Sequence, residues 1–263
     1  MPCDLYYGCL DNNWDGNGNG VYGEVEDNVD LIPEVSVGRF SAETQEEFEN
    51  IFNKTSFYVD YQTVSDDIVC LIGENLNNNP LTWGGDYNDE VADLAPSLDA
   101  DYHVDRLYQR EGTYNPETVR EAINDGLSVI NHMGHSNENI VFGQTSSYVN
   151  TYTNLNYGFA YTQGCYHAAF DEATSFANES IGENLVSSEH GLYAFIGNTR
   201  YGWYSPGNTD GPSQYYDIAF FEAMFNDDQR QLGKSLSQSR AELVNMALGS
   251  GVMRWVHYEL VIF

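Results

Sequence analysis

The sequence predicts an α/β protein with an open, mostly parallel sheet flanked by helices on both faces. Two observations support this prediction: short apolar runs typical of buried strands alternate with longer amphipathic segments typical of helices, and the chain is long enough for one large core. Of its 263 residues, 41% are hydrophobic and 14% are aromatic, which argues against extensive disorder. We find no internal repeat and no flexible linker, so we expect one compact domain.

The first predicted elements are a strand and a helix. Residues 34–40 alternate between apolar and polar side chains, as a half-buried strand does. Ser41 then caps a helix that runs to about Tyr61, and the spacing of Thr44 and Glu47 resembles a capping box. This strand and helix begin the alternation that continues along the chain.

The following elements alternate in the same way. In chain order they are a strand at residues 68–72, an Asn-rich turn at 75–80, a Gly-Gly-Asp loop at 84–86, a helix beginning near Asn88 and a strand at 102–107. Asn115 starts the next helix as a cap before Pro116, and Gly126 ends it. The remaining chain predicts strands at 127–130, 157–161 and 191–197 and helices at 213–226 and 229–248.

The charge balance restricts the partners. With 40 acidic and 10 basic residues the formal net charge is −30, so nucleic acid and anionic membranes are repelled, whereas cations and basic peptides are favoured. No apolar stretch approaches the roughly 20 residues that cross a bilayer, and residues 1–4 lack a signal-peptide pattern. We expect no membrane insertion, and we expect this chain to be a mature or excised piece of a longer secreted precursor.

Four cysteines are too few for a disulfide framework at this length. Cys3 and Cys9 could bridge across a short loop, and Cys70 lies in an apolar run where a buried, inert thiol is expected. Cys165 is therefore the thiol that needs an explanation.

Cys165 and His135 each follow a short apolar run that predicts a buried strand, and a glycine precedes each of them. Open α/β sheets display functional groups at the carboxyl ends of their strands. A thiolate attacks a carbonyl carbon and an imidazole protonates the leaving amine, so the pair suits a nucleophile and its base, with the N–H groups of Gly134 and Cys165 as an oxyanion hole. The alternatives are a packed thiol at Cys165, and His132 or His167 as the base.

Six ordered stretches resemble the catalytic domain of the gingipain-type cysteine peptidases, the C25 family of the caspase-like clan. The stretches are residues 4–7, 33–39, 83–87, 134–135, 164–165 and 196–200. The resemblance implies a caspase-like sheet in which His135 and Cys165 are the catalytic dyad and Glu74 orients the imidazole. The chain departs from the family at Ser136, where related domains commonly have glycine.

The same resemblance implies a substrate pocket. Asp86 corresponds to the aspartate at the bottom of the S1 pocket in the arginine-specific members, where a carboxylate would pair with a guanidinium. Trp203 corresponds to the tryptophan that walls the pocket, and Gln163 and Met133 complete the expected substrate-binding set. These residues predict cleavage after Arg, or after Lys. The alternatives are a helix-capping role for Asp86 and an ordinary core position for Trp203.

The N-terminal loop predicts a structural calcium site. Asp11, Asn13 and Asp15 match the first half of an EF-hand loop, with glycine at the sixth position. The twelfth position is not Glu, so we expect Asn17 and Glu24 to complete the oxygen ligands, with Glu26 as the alternative to Glu24, in line with the structural calcium that the resemblance implies. A solvated Asn/Gly turn cluster is the alternative. We expect no organic cofactor.

The resulting hypothesis is a secreted or cell-surface cysteine endopeptidase that forms a thioester acyl-enzyme at Cys165. Residues 1–32 would form the calcium-binding region and residues 33–263 the caspase-like catalytic subdomain. Protein or peptide substrates with a basic P1 residue would be the partners, without nucleic acid. The competing hypotheses are a catalytically silent, calcium-stabilised surface or adhesion module of the same fold and, third, an amidase with a similar nucleophile.

Overall fold

The computed structural model describes residues 2–60, 68–171 and 179–263. Its strands are β1 (Ile68–Gly73), β2 (Asn75–Asn78), β3 (Leu81–Trp83), β4 (His103–Tyr108), β5 (Val129–Met133), β6 (Ile140–Val141), β7 (Gln144–Thr145), β8 (Phe159–Thr162), β9 (Ala194–Asn198) and β10 (Leu260–Ile262). Its helices are α1 (Leu5–Gly8), α2 (Gln45–Asp60), α3 (Gly84–Leu94), α4 (Ser97–Asp101), α5 (Pro116–Asp125), α6 (Ser146–Val149), α7 (Ile181–Ser187), α8 (Pro212–Phe225), α9 (Leu232–Gly249) and α10 (Gly251–Glu259).

The central sheet has six strands in the order β10-β9-β8-β5-β1-β4. All neighbours are parallel except β10, which runs antiparallel to β9. Strand β1 contributes side chains to a hydrophobic core on each face of the sheet. Val69 and Leu71 pack in the core with α3, α8 and α10. Cys70 and Ile72 pack in the core with α5 and α7 on the opposite face. Alternate side chains of a strand point to opposite faces, so the predicted two-sided α/β sheet is confirmed.

The predicted strand at residues 34–40 is wrong. The backbone N–H groups of Glu34 and Val35 both donate to the Gly8 carbonyl, and the N–H of Arg39 donates to the Ile262 carbonyl at 2.8 Å. These bonds go to the end of α1 and to the outer edge of β10, so the segment forms no strand ladder. Alternation alone could not reveal which neighbour the backbone would find.

The starts of α2 and α3 differ from the predicted positions. Helix α2 begins after Thr44, whose capping box with Glu47 is confirmed by bonds of 3.2 and 2.9 Å, whereas the Ser41 hydroxyl donates to Glu183 instead. Its expected end at Tyr61 lies outside the described residues. Helix α3 begins at Gly84 rather than near Asn88, because the Gly84 N–H donates to the Glu74 carbonyl at 2.7 Å.

The predicted boundaries of α5 are confirmed. The Asn115 side chain accepts from two N–H groups of the first turn, and Gly126 ends the helix with a positive φ of 89°. All four cysteines are free, so Cys3 and Cys9 do not form the bridge that their spacing allows, and the predicted buried thiol of Cys70 is confirmed.

The N-terminal region packs on the C-terminal helices. Leu5, Trp14 and Leu31 form a buried cluster with Ala247 of α9, and Tyr258 of α10 packs against it. Apolar contact therefore holds this region to the rest of the chain. The domain boundary between residues 32 and 33 stays a prediction.

Candidate active site

The two predicted dyad residues leave the sheet at the same edge. Strands β5 and β8 are parallel neighbours in which His132 lies opposite Thr162. His135 and Cys165 each lie three residues beyond this pair, in turns that leave the carboxyl ends of their strands. Sheet register thus brings together two side chains that are 30 residues apart in sequence.

The Cys165 side chain is a half-buried thiol. Its Sγ donates to the Gly202 carbonyl at 3.8 Å. Burial raises the pKa of the Cys165 thiol. The group is therefore protonated at rest and needs a base before it can act as a nucleophile.

The turn that carries Cys165 is tightly constrained. Tyr166 has a left-handed φ of 58°, and its N–H donates to the Arg200 carbonyl at 2.6 Å. The Asn198 side chain donates to the Gly164 carbonyl at 2.8 Å. A Cβ on Gly202 would lie 1.8 Å from the Gln163 carbonyl oxygen. The end of β9 and the residues that follow it therefore pack against the cysteine turn and hold it in place.

The His135 ring is oriented by a backbone carbonyl. Nε2 lies 3.2 Å from the carbonyl oxygen of Leu76 in β2, which also accepts from the Tyr204 hydroxyl at 3.1 Å. A carbonyl only accepts, so Nε2 carries the hydrogen and Nδ1 of the neutral ring is free to accept a proton. Within the described ranges the structure has no hydrogen bond between His135 and Cys165. Sequence reasoning missed Leu76, because a backbone carbonyl has no sequence signal.

Glu74 contacts the histidine turn rather than the His135 imidazole. Its carboxylate accepts from the His135 backbone N–H at 3.2 Å and from the Tyr114 hydroxyl at 2.5 Å, and lies 3.5 Å from the His132 ring. Burial of Glu74 raises its pKa, but the His132 ring, the Tyr114 hydroxyl and the His135 N–H outweigh this effect and lower it. The expectation that Glu74 orients the His135 ring is therefore corrected: it anchors the backbone of the turn.

The N–H groups proposed for the oxyanion hole are available. Neither the N–H of Gly134 nor that of Cys165 donates a hydrogen bond to any described residue. Gly134 also has a packing role, because a Cβ there would lie 2.2 Å from Nε2 of His132. The glycine therefore allows the close approach of the buried His132 ring.

Both alternative bases are buried and hydrogen-bonded to other groups. The His132 ring is fully buried and pairs with the Thr162 hydroxyl at 2.7 Å. The His167 ring is fully buried and pairs with the Ser136 hydroxyl at 2.8 Å. The exposed His135 is thus the candidate base that a substrate can approach.

Two of the predicted substrate-binding side chains are buried in the protein. The Gln163 amide donates to Gln214 at 2.8 Å and to the buried Asp217 at 2.5 Å, and burial raises the pKa of Asp217 to about 7. Met133 is 3% exposed and packs in a cluster with Tyr87. The prediction that these two side chains bind substrate is therefore wrong. Met133 ends β5 and points into the protein, and the Gln163 side chain is held by buried polar groups.

The other two predicted pocket residues are exposed. Trp203 is 39% exposed, so it is not a core residue and its ring can wall a pocket. Asp86 lies on the first turn of α3 without capping it, and its carboxylate is paired with the guanidinium of Arg110. Arg110 also pairs with Asp89 and lies over the Tyr108 ring at 4.8 Å. Asp86 therefore binds a guanidinium, but one that belongs to its own chain.

The predicted calcium ligands form hydrogen bonds within their own loop. The side chains of Asn17 and Glu24 bond to each other at 3.3 Å, Asn13 accepts from the backbone N–H of Asp15 at 3.2 Å, and Asp15 accepts from that of Gly20 at 3.1 Å. These side-chain oxygens accept hydrogen bonds from other groups of the same loop, as they would in an Asn/Gly turn cluster. Among the described residues, the carboxylates of Asp11, Asp15 and Glu24 do not come together as one group, and calcium binding by the five predicted ligands stays a prediction.

Asp11 instead belongs to a different carboxylate group. One carboxylate oxygen each of Asp11, Asp30 and Glu34 lies within 4.8 Å of the other two, and all three residues are exposed. Asp30 and Glu34 lie beyond the EF-hand-like segment, so the loop pattern gave no indication of them.

A cysteine and a histidine that follow neighbouring parallel strands are a pairing that cysteine peptidases use. The profile of peptidase family C25 matches residues 1–263. The chain therefore belongs to peptidase family C25.

Curated relatives and solved structures agree with this assignment. Gingipain R2 of Porphyromonas gingivalis is 25% identical over 202 residues, covering 71% of this chain and 26% of that protein. Gingipain R1 of the same species is also 25% identical over 202 residues, covering 71% of this chain and 20% of that protein. This chain thus spans about a quarter or less of the length of these relatives.

The structural likeness extends over the whole chain. The crystal structure of the Arg-specific cysteine proteinase gingipain R has a TM-score of 0.73 at 16% identity and covers 99% of this chain, which in turn covers 57% of that one. The complex of the RgpB pro- and mature domains of Porphyromonas gingivalis has a TM-score of 0.72 at 18% identity. These similarities establish the caspase-like fold. No described helix has the length and apolar character needed to cross a bilayer.

Proposed function

We propose that this chain is the dyad-bearing part of a cysteine endopeptidase that cleaves after a basic residue, with Arg preferred and Lys accepted. The observation that carries the proposal is the pairing of β5 with β8, which lets His135 and Cys165 leave the sheet side by side. The bond from Nε2 to Leu76 leaves Nδ1 to act as the base. Membership of family C25 supports the same activity.

The proposed reaction begins with transfer of the Cys165 proton to Nδ1 of His135. The thiolate attacks the scissile carbonyl carbon, and the N–H groups of Gly134 and Cys165 stabilise the oxyanion. His135 then gives its proton to the leaving amine, and a thioester remains on Cys165. Water, deprotonated by His135, hydrolyses the thioester and restores the thiol.

For the basic preference we propose that a substrate guanidinium replaces Arg110 on Asp86. The Asp86 side chain is half exposed. It lies in the first turn of α3, which is next to the histidine turn: a Cβ on Gly84, the first residue of α3, would lie 2.0 Å from the carbonyl oxygen of Met133. The exposed ring of Trp203 supports stacking on a basic side chain. The net charge of −30 would attract basic peptides.

The test is turnover of fluorogenic peptides that end in Arg, Lys or Asp before the reporter, with calcium and a reductant. We expect cleavage after Arg and Lys, complete loss in Cys165→Ala, and a fall of about tenfold or more in kcat/KM for Arg peptides in Asp86→Asn. An unchanged Arg preference in Asp86→Asn would refute the pocket assignment alone. No turnover of any peptide by the wild type would favour the silent, calcium-stabilised module.

We further propose that the protein acts outside the cell and binds calcium in its N-terminal region. The carboxylates of Asp11, Asp30 and Glu34 support a hard-cation site there. Calcium should raise the melting temperature of the wild type, and Asp30→Asn should abolish that rise, whereas Asp99→Asn, which removes an exposed carboxylate elsewhere, should retain it. A calcium response that Asp30→Asn leaves intact would place the ion elsewhere.

A further inference from the structure

We propose that Ser136 and His167 are positioning residues that hold the Cys165 turn against the His135 turn through a relay of hydrogen bonds. The Ser136 hydroxyl donates to the Cys165 carbonyl at 2.8 Å, and its oxygen lies 2.8 Å from Nδ1 of His167. Nε2 of His167 accepts from the Asn198 backbone N–H at 2.9 Å. The proposal deepens the peptidase function proposed above and rests on it.

The direction of each bond in the relay follows from its two ends. The Asn198 N–H can only donate, so Nε2 of His167 has no hydrogen and Nδ1 of the neutral ring carries it. The Cys165 carbonyl can only accept, so the single hydroxyl hydrogen of Ser136 points to it. Ser136 oxygen therefore accepts from Nδ1–H of His167, and one arrangement of hydrogens satisfies every group.

The surroundings of His167 keep this arrangement intact. The residue is fully buried, and burial lowers the pKa of its ring well below the ordinary value, with the nearby His132 lowering it further. A protonated ring would carry a hydrogen on Nε2 facing the Asn198 N–H, so the neutral form is also the one that the hydrogen bonds require. His167 is thus a fixed donor rather than a proton carrier.

Two glycines make room for the relay. A Cβ on Gly164 would lie 2.0 Å from the Ser136 hydroxyl oxygen, and a Cβ on Gly197 would lie 2.1 Å from Nε2 of His167. Side-chain contacts this short are not tolerated, so the backbones of the cysteine turn and of β9 approach the relay only because both positions are glycine.

The relay connects the two halves of the dyad. Ser136 is the residue directly after His135, and it binds the carbonyl of Cys165 itself. The bond therefore restricts both the direction of the thiol and the N–H of Cys165 that faces the oxyanion. Because the relay touches neither the scissile bond nor the substrate, its loss should affect kcat more than KM.

The experiment compares Ser136→Ala with Ser239→Ala, which removes a buried hydroxyl that also donates to a backbone carbonyl, at 2.9 Å, in α9. Turnover of an Arg peptide is normalised to titrated Cys165 thiol, and melting temperatures show that each variant is folded. We expect Ser136→Ala to lower kcat by about tenfold or more with KM within about twofold. Ser239→Ala should keep wild-type kcat. Equal kcat values in the two variants would overturn the proposal.

His167 provides a rescue test. Glutamine has a donor and an acceptor that can replace Nδ1–H and Nε2, whereas leucine has neither. We expect His167→Gln to retain more kcat than His167→Leu among variants that fold. If His167→Leu is folded and retains wild-type kcat, the relay has no role in positioning.

A spectroscopic readout separates this proposal from the peptidase function. In ¹H–¹⁵N spectra, His167 of the wild type should be the Nδ1–H tautomer with a slowly exchanging proton, identified by its loss in His167→Gln. Ser136→Ala should speed that exchange at least about tenfold, whatever the turnover. An Nε2–H tautomer, or unchanged exchange in Ser136→Ala, would refute the relay. A wild type that cleaves no peptide but shows these signals would refute the proposed function alone.

Discussion

The sharpest steric test of the site is Gly202→Ala. A Cβ at this position would lie 1.8 Å from the Gln163 carbonyl oxygen and 2.7 Å from the Gly164 carbonyl oxygen. Both contacts are with backbone atoms of the cysteine turn, so no flexible side chain can move aside. The φ of Gly202 is not positive, so alanine adds a steric conflict without adding backbone strain.

The magnitude follows from the size of this conflict. Overpacking of a close-packed region lowers the free energy of unfolding by about 1–3 kcal/mol. Because the Gln163 carbonyl would have to move by more than about one ångström, we expect a loss in the upper part of that range, about 2–3 kcal/mol. For a chain of this size that loss lowers the melting temperature by roughly 4–12 °C. Moving the turn would also displace Cys165 from the Gly202 carbonyl, so turnover should fall beyond the loss of folded protein.

The matched control is Gly249→Ala at the exposed end of α9, where a Cβ would have nothing within 4 Å. It should be neutral or stabilising by up to about 1 kcal/mol. Urea unfolding and peptide turnover would be measured for both variants. If Gly202→Ala is as stable and as active as Gly249→Ala, the close packing behind the cysteine turn is refuted.

Three further outcomes follow from the charges around the site. Cys165 should be alkylated by iodoacetamide with a pH midpoint above that of a free thiol, with Cys165→Ala as the background; a midpoint below it would contradict the burial effect on the pKa. Burial raises the pKa of Glu259 to about 9, so the unfolded chain releases this proton first and stability falls as pH rises toward 9. In urea unfolding, the stability of Glu259→Gln relative to the wild type should therefore rise by about 3–4 kcal/mol from pH 5 to pH 8, and a constant difference between the two proteins would refute this. Arg110→Ala should lower KM for Arg peptides by freeing Asp86, with Arg230→Ala as the unaffected control; an unchanged KM would show that the pair does not compete with substrate.

Local sequence signals predicted much of the fold. The apolar run of β1 predicted a buried strand and Asn115 followed by Pro116 predicted a helix start, because each signal acts within a few residues. At the edge of the sheet the alternating pattern predicted the wrong structure. Residues 34–40 alternate like a strand, yet the Glu34 and Val35 N–H groups donate to Gly8 and the Arg39 N–H to Ile262, so the segment forms no ladder along β10.

By itself the sequence determined the strand and helix alternation and the two chemical groups at neighbouring strand ends, because periodicity and residue type are local properties. Only the tertiary structure decided their partners. Leu76 binds the His135 ring, Gly202 binds the Cys165 thiol, and Arg110 occupies Asp86. These contacts join residues 24 to 59 positions apart, and two of the three use backbone carbonyls that every residue has, so no sequence pattern distinguishes them.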